Sequence, residues 1–184
     1  MKMVGPDEIQ AWLGQLHSGK TEERREAVRR LGDAGEPAVG PLLDALASTG
    51  DSDERWYLAL ALSRIGSPAV RPLIAVLREK RDPQVRRYVA AALSAIGEDA
   101  VEALIRLLGE TEEPDVRGFA ALALGRIGEP AIGPLSRAVE AGGPLGLAAG
   151  QVLWRMEDQG LQALLGAYGL DESCGPLPGS GPQP

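Results

Sequence analysis

Few residues in this chain are of the types that perform chemistry, and their placing argues against a reaction centre. There is one histidine, His17, and one cysteine, Cys174. Thiol catalysis or a cysteine-based metal cage needs such residues grouped with partners, and here each stands alone. The acids Glu98, Asp99, Glu102, Glu129 and Glu140 are spread at repeat spacing on the second helices, which suits a wetted surface better than a paired acid and base. No glycine run has the form of a phosphate-cradling loop. The arginines are more regular. Arg24, Arg55, Arg86 and Arg117 stand 31 residues apart, each with an acid shortly before it: Glu23, Asp53, Asp82 and Asp115. A guanidinium fork can cross-link a carboxylate or a loop carbonyl of a neighbouring unit, so this row predicts a structural ladder and not a ligand site.

The same spacing governs the elements that must carry these residues. Leu31-Gly32-Asp33-Ala34-Gly35 recurs as Leu62-Ser63-Arg64-Ile65-Gly66, Leu93-Ser94-Ala95-Ile96-Gly97 and Leu124-Gly125-Arg126-Ile127-Gly128, and Leu42, Leu73, Leu104 and Leu135 keep the register. A strict period of this size is one supersecondary unit stacked on itself. Each unit reads as two helices. In the third copy Val85, Val89, Ala92, Leu93 and Ile96 share a helical face behind an Asp82-Pro83 N-cap. Gly97 then ends that helix as a left-handed C-cap. Val101, Leu104, Ile105 and Leu108 form the stripe of the second helix. Pro41, Pro72 and Pro134 are expected near the start of the second helices, where a missing N–H does little harm. Nothing alternates with period two, so no sheet is expected.

A degraded fifth copy runs from Pro144 to about Tyr168, with Gly146 in place of the ladder arginine, as suits a terminal unit. Ahead of the first copy, Ile9, Trp12, Leu13 and Leu16 form the stripe of one amphipathic helix. The expected organisation is an N-terminal capping helix over residues 1–20, a solenoid over 21–168 and a Gly/Pro-rich disordered tail over 169–184. At 44% hydrophobic content the chain can bury a core between neighbouring units. It has no apolar run of membrane length, and charge and glycine follow the first residues closely. A cytoplasmic protein with no membrane partner is the expectation.

Asp82-Pro83-Gln84-Val85-Arg86 through Ala90, Ala92-Leu93 and Ile96-Gly97, followed by Ala100-Val101-Glu102-Ala103-Leu104-Ile105, resembles the short HEAT-like repeat named after phycobilisome lyases. The resemblance covers roughly residues 21–168. It implies an all-α fold, an α-solenoid of HEAT-like helix pairs, about five repeats long behind the capping helix. It also implies that the helix bearing the Val-Arg pair lines the concave side. Carried over position by position, the outward residues of that helix are Arg25, Glu26, Arg29 and Asp33, then Trp56, Tyr57, Leu60 and Arg64. The later copies give Arg87, Tyr88, Ala91 and Ala95, then Gly118, Phe119, Leu122 and Arg126, and last Leu147, Ala148, Gln151 and Arg155.

Four aromatic residues, Trp56, Tyr57, Tyr88 and Phe119, fall in this set, with Leu60 and Leu122 beside them. An outward row has no core to fill, so the set predicts an exposed apolar patch of the kind that marks a binding site. The rival reading is that Tyr57 or Phe119 leans between adjacent helices and is partly core, and it is kept open for Trp56 and Tyr88 as well. Six arginines against Glu26 and Asp33 make the row basic on a chain of net charge −7. The expected binding residues are Trp56, Tyr57, Leu60, Arg64, Arg87, Tyr88, Phe119, Leu122, Arg126 and Arg155, residue types common at interface hot spots.

The expected function is therefore a non-enzymatic scaffold holding a protein or peptide segment, acidic and apolar, in that groove, with no cofactor and no metal. The resemblance brings two alternatives. One is a bilin lyase-like protein, with arginines on propionates and aromatics on a tetrapyrrole. The other is a HEAT-like nucleic-acid binder, which the acidic net charge disfavours. An iron hydroxylase of this fold needs paired His-Glu motifs that this chain lacks. Trp154 stands where other units carry glycine or serine and is expected to plug the end of the stack against Leu161, Leu164 and Leu165. The rival is an exposed apolar end, with Tyr168, that could make a homodimer.

Overall fold

The computed structural model describes residues 4–168, apart from the side chains of residues 157–159. The expected tail, 169–184, lies outside the described residues. Within them the chain is an α-solenoid, helical throughout with no strand. The helices are α1 Pro6–Gln15, α2 Thr21–Ala34, α3 Glu36–Ser48, α4 Ser52–Ile65, α5 Ser67–Glu79, α6 Pro83–Ile96, α7 Glu98–Glu110, α8 Pro114–Ile127, α9 Glu129–Ala141, α10 Gly143–Trp154 and α11 Glu157–Ala167.

Local chemistry sets the helix boundaries. Asp51 caps α4 by accepting from the N–H groups of Asp53 (2.7 Å) and Glu54 (3.1 Å), and Asp82 caps α6 by accepting from that of Gln84 (2.8 Å). Gly35, Gly66, Gly97 and Gly128 stop the first helices at φ of 70°, 78°, 82° and 76°. Their ψ values, −143°, −140°, −134° and −133°, differ from the expected left-handed cap. The reason is that a single residue performs two tasks. Gly66 donates its N–H to Ser63, closing α4, while its carbonyl accepts from Ala69 and opens α5. The second helices consequently begin at once, and Pro41, Pro72 and Pro134 lie inside α3, α5 and α9 and not at their starts. Pro37, Pro68 and Pro130 occupy the first-turn positions instead.

Helices α2, α4, α6 and α8 pack side by side in one row, α3, α5, α7 and α9 in a second, and each second helix also rests on the first helix of the next unit. The core is the seam between rows. Leu31, Leu62, Leu93 and Leu124, with Leu42, Leu73, Leu104 and Leu135, are fully buried in it. Helix α1 closes the N-terminal end on α2 and α3, burying Ile9, Leu13 and Leu16 with Trp12 half-buried.

The fifth unit departs from the pattern. Helix α10 packs mainly on α9 and reaches α7, and it touches α8 only slightly. Two glycines permit this close approach. A Cβ on Gly146 would lie 3.0 Å from the Ala138 carbonyl oxygen, and one on Gly109 would lie 3.3 Å from Leu145 Cδ1. Gly146 thus does more than mark a terminal unit: its bare backbone lets α10 settle onto α9.

Candidate functional site

The first-helix row presents the outward positions, and the structure divides the expected aromatic set. Trp56 is 56% exposed, and Leu60 beside it is 40% exposed. Tyr57, Tyr88 and Phe119 are half-buried and pack against the core, so they lean between helices as the rival reading held. Tyr57 is further held by the Arg24 guanidinium, 5.4 Å from its ring centroid. Leu122 is exposed further along the row, on α8. A furrow runs between α4 and α6, with Trp56 and Leu60 on one side and Ala91, Ala92 and Ala95 on the other. The alanines form it by what they omit: a larger side chain at 91 or 95 would fill the space. Past Leu60 the depression continues to Arg25, Arg29 and Arg64.

Charge along the row is uneven, which the sequence count did not show. Arg25 pairs with Glu22 at 3.0 Å, and Arg29 pairs with Glu26 at 2.7 Å and Asp33 at 3.2 Å. Arg30 adds a contact to Glu26 at 2.8 Å, and hydrogen bonds from Arg29 and Arg30 hold the Glu26 carboxyl down at about 2. Arg64 reaches Asp33 only at 3.8 Å, with its aliphatic stem laid across Gly32. Among the described residues Arg87, Arg126 and Arg155 are exposed and form no ion pair. The N-terminal part of the row is therefore neutralised and the C-terminal part is basic.

The arginine ladder meets acids of the following unit at two positions, at the named Asp82 and at Glu113 in place of Asp115. Arg86 donates to Glu113 at 2.9 Å, and Arg55 lies 3.6 Å from Asp82. In each case the carboxylate belongs to the residue that opens the next unit's first helix. Arg55 and Arg86 are buried, each with an Nε that has no acceptor. Arg24 donates instead to the Ser18 carbonyl, and Arg117 to that of Thr111 at 2.8 Å.

Arg117 keeps the expected loop carbonyl but differs in exposure from Arg55 and Arg86. It is exposed and borders a cleft of about 180 Å3 between α8 and α10, opposite Gln151 and Arg155. The signal was in the sequence: the residue that opens the fifth unit's first helix is Gly142, where the third and fourth units carry Asp82 and Glu113. Trp154 also differs from expectation. It is 68% exposed and plugs nothing, because α11 packs on α9 and α10 without covering it, and Tyr168 is exposed as well.

Among the described residues no group of His, Cys, Asp and Glu is arranged to hold a metal ion, and no helix is long and apolar enough to cross a membrane.

Residues 70–154 match the family model for HEAT repeats. An engineered protein solved by crystallography is 21% identical over 89% of this chain and 88% of its own, with a TM-score of 0.36. A designed armadillo repeat protein in complex with the peptide (KR)4 is 18% identical over 89% of both chains, with a TM-score of 0.35. No curated protein matches the chain significantly.

Proposed function

We propose that this protein is a non-enzymatic, cytoplasmic interaction module whose first-helix row, the concave side of the stack, holds a protein or peptide segment bearing both apolar and acidic side chains. We also assign its repeats to the phycobilisome-lyase variety of HEAT-like unit, on the 31-residue period and the Val-Arg and Ile-Gly pairs. The observation that carries the functional reading is the pairing of Trp56 and Leu60, both exposed, with an alanine-lined furrow beside them. A large apolar side chain held in water beside an empty depression gains by being covered, and tryptophan contributes large area with few rotors to freeze. The unpaired arginines Arg87, Arg126 and Arg155 supply attraction for carboxylates further along. Neutralisation of Arg25 and Arg29 by their own helix leaves too short a run of free cations for phosphate-dominated binding.

The test is affinity capture from source-cell lysate with the intact protein and a Trp56→Ser/Leu60→Ser variant, after circular dichroism confirms both are folded. Both residues are exposed, so the variant keeps its core. A protein retained by the intact form alone supports the reading. Identical captures, or a pigment or nucleic acid held by both, overturn it.

A further inference from the structure

The ladder ends on an arginine without its acid. Arg55 and Arg86 each meet the carboxylate that opens the next unit's first helix, Asp82 and Glu113, whereas the residue that opens α10 after Arg117 is Gly142. Arg117 keeps only the Thr111 carbonyl and forms no ion pair among the described residues. At this place α10 leans onto α9, and a cleft opens between α8 and α10. Arg117 and Arg155 stand at its edge, and Leu108, Ala121, Ala148 and Val152 line it. Its volume is about 180 Å3, and its open side admits one aliphatic side chain with its neighbour's carboxylate. Gly118 leaves the mouth open where the earlier units carry Arg25, Trp56 and Arg87.

We propose that this cleft binds a partner peptide through an acidic residue next to an aliphatic one. The acid completes the ladder on Arg117, with Arg155 as the second cation, and the aliphatic side chain lies against Ala121, Ala148 and Val152. In the second and third units the arginine at this repeat position meets a carboxylate, and the charge-assisted hydrogen bond from Arg86 to Glu113 is of the stronger kind of polar contact. The proposal rests on the reading of the first-helix row as a peptide-binding surface and names where, and by which side chains, that surface takes hold.

The probe is an acetylated, amidated octapeptide of alternating glutamate and leucine, titrated into the isotopically labelled full chain and followed by backbone amide shifts. The expected result is saturable movement at Ala121, Ala148, Gln151 and Val152, absent with the glutamine-leucine peptide. Arg117→Gln weakens binding about tenfold or more, the loss of one charged hydrogen bond. Gly118→Trp abolishes it by covering the mouth. A Cβ at 118 meets nothing within 4 Å and Trp56 occupies the same repeat position, so this variant folds. Shifts confined to the Trp56 furrow, lost in Trp56→Ser and kept in Gly118→Trp, overturn the cleft and leave the row reading standing. Cleft shifts that survive Trp56→Ser support the cleft by itself. No shifts with millimolar peptide overturn both, and equal cleft shifts with inorganic phosphate reduce the site to a bare anion pocket and overturn the peptide.

Discussion

Arg86 Nη2 donates to Glu113 Oε2 across 2.9 Å, and Glu113 is the residue that opens α8. Its carboxylate serves the preceding unit, so α8 begins without a side-chain cap. Asp82 does both jobs, accepting from the Gln84 N–H through Oδ1 and facing Arg55 with Oδ2. Units are thus joined by a charge carried from the buried side of one helix to the exposed start of the next, in addition to their leucines.

The joint is asymmetric in its energetics. Glu113→Ala leaves a guanidinium that is only 3% exposed with a single long contact to the Arg78 carbonyl, and is expected to cost about 2 kcal/mol, the range of a charged hydrogen bond. Arg86→Met removes the buried charge together with its unpartnered Nε and is expected to cost less, because a buried ion pair is often replaceable by an apolar side chain of similar size. Urea denaturation of the two variants decides. A larger loss for Arg86→Met would show that the pair contributes net stability.

A glycine at a helix stop and one inside a helix with open space around it differ in the sign of their response to substitution. Gly66 holds φ 78° and ψ −140°, a conformation other residues rarely reach, so Gly66→Ala is expected to lose about 1–3 kcal/mol. Gly40 lies inside α3 with open space around its Cα, so Gly40→Ala is expected to gain about 0.5–1 kcal/mol. Thermal melts that place the two on the same side of the parent would contradict this.

How far the sequence carried the reading follows from what repeats. Leucines and stop glycines recur in the first four copies, so a register of 31 exposes them and the two-row stack follows directly. The direction in which a side chain leans is not written in the register. Tyr57, Tyr88 and Phe119 occupy one repeat position and look outward on a helical wheel, yet a ring that can cover the seam gains more by tilting into it than by standing in water. Charge was miscounted for a related reason, since Arg29 and Glu26 neutralise each other within one turn of α2. The cleft depends on Gly109 and Gly146, two small residues in separate helices whose joint effect is visible only once α10 is packed.

Glu26 offers a titration that reports the N-terminal part of the row. Hydrogen bonds from Arg29 and Arg30 pull its carboxyl from the ordinary 4.5 to about 2. A depressed folded value means the stabilisation is present above about pH 4.5 and is lost as pH falls towards 2. Carboxyl-detected titration of Glu26 is expected to show the low midpoint in the parent and a return towards 4.5 in Arg29→Ala/Arg30→Ala. An ordinary midpoint in the parent would mean that these surface pairs are transient in solution.

The two ends of the stack differ, and their tryptophans can show it. Trp12 is half-buried against the core beneath α1, whereas Trp154 is 68% exposed at the end of α10. Trp12→Ser uncovers leucines that α1 seals and is expected to cost about 2 kcal/mol, or roughly 4–8 °C in a chain of this size. Trp154→Ser removes a side chain that covers little, so its effect on stability is expected within about 0.5 kcal/mol. Iodide should quench Trp56 and Trp154 in the parent and leave Trp12 largely protected. Sedimentation measures the other consequence of exposure: if Trp154, with Tyr168, mediates association between copies, the parent sediments faster with rising concentration and Trp154→Ser does not. A monomer throughout, with Trp154→Ser melting as low as Trp12→Ser, would mean that Trp154 seals the stack after all.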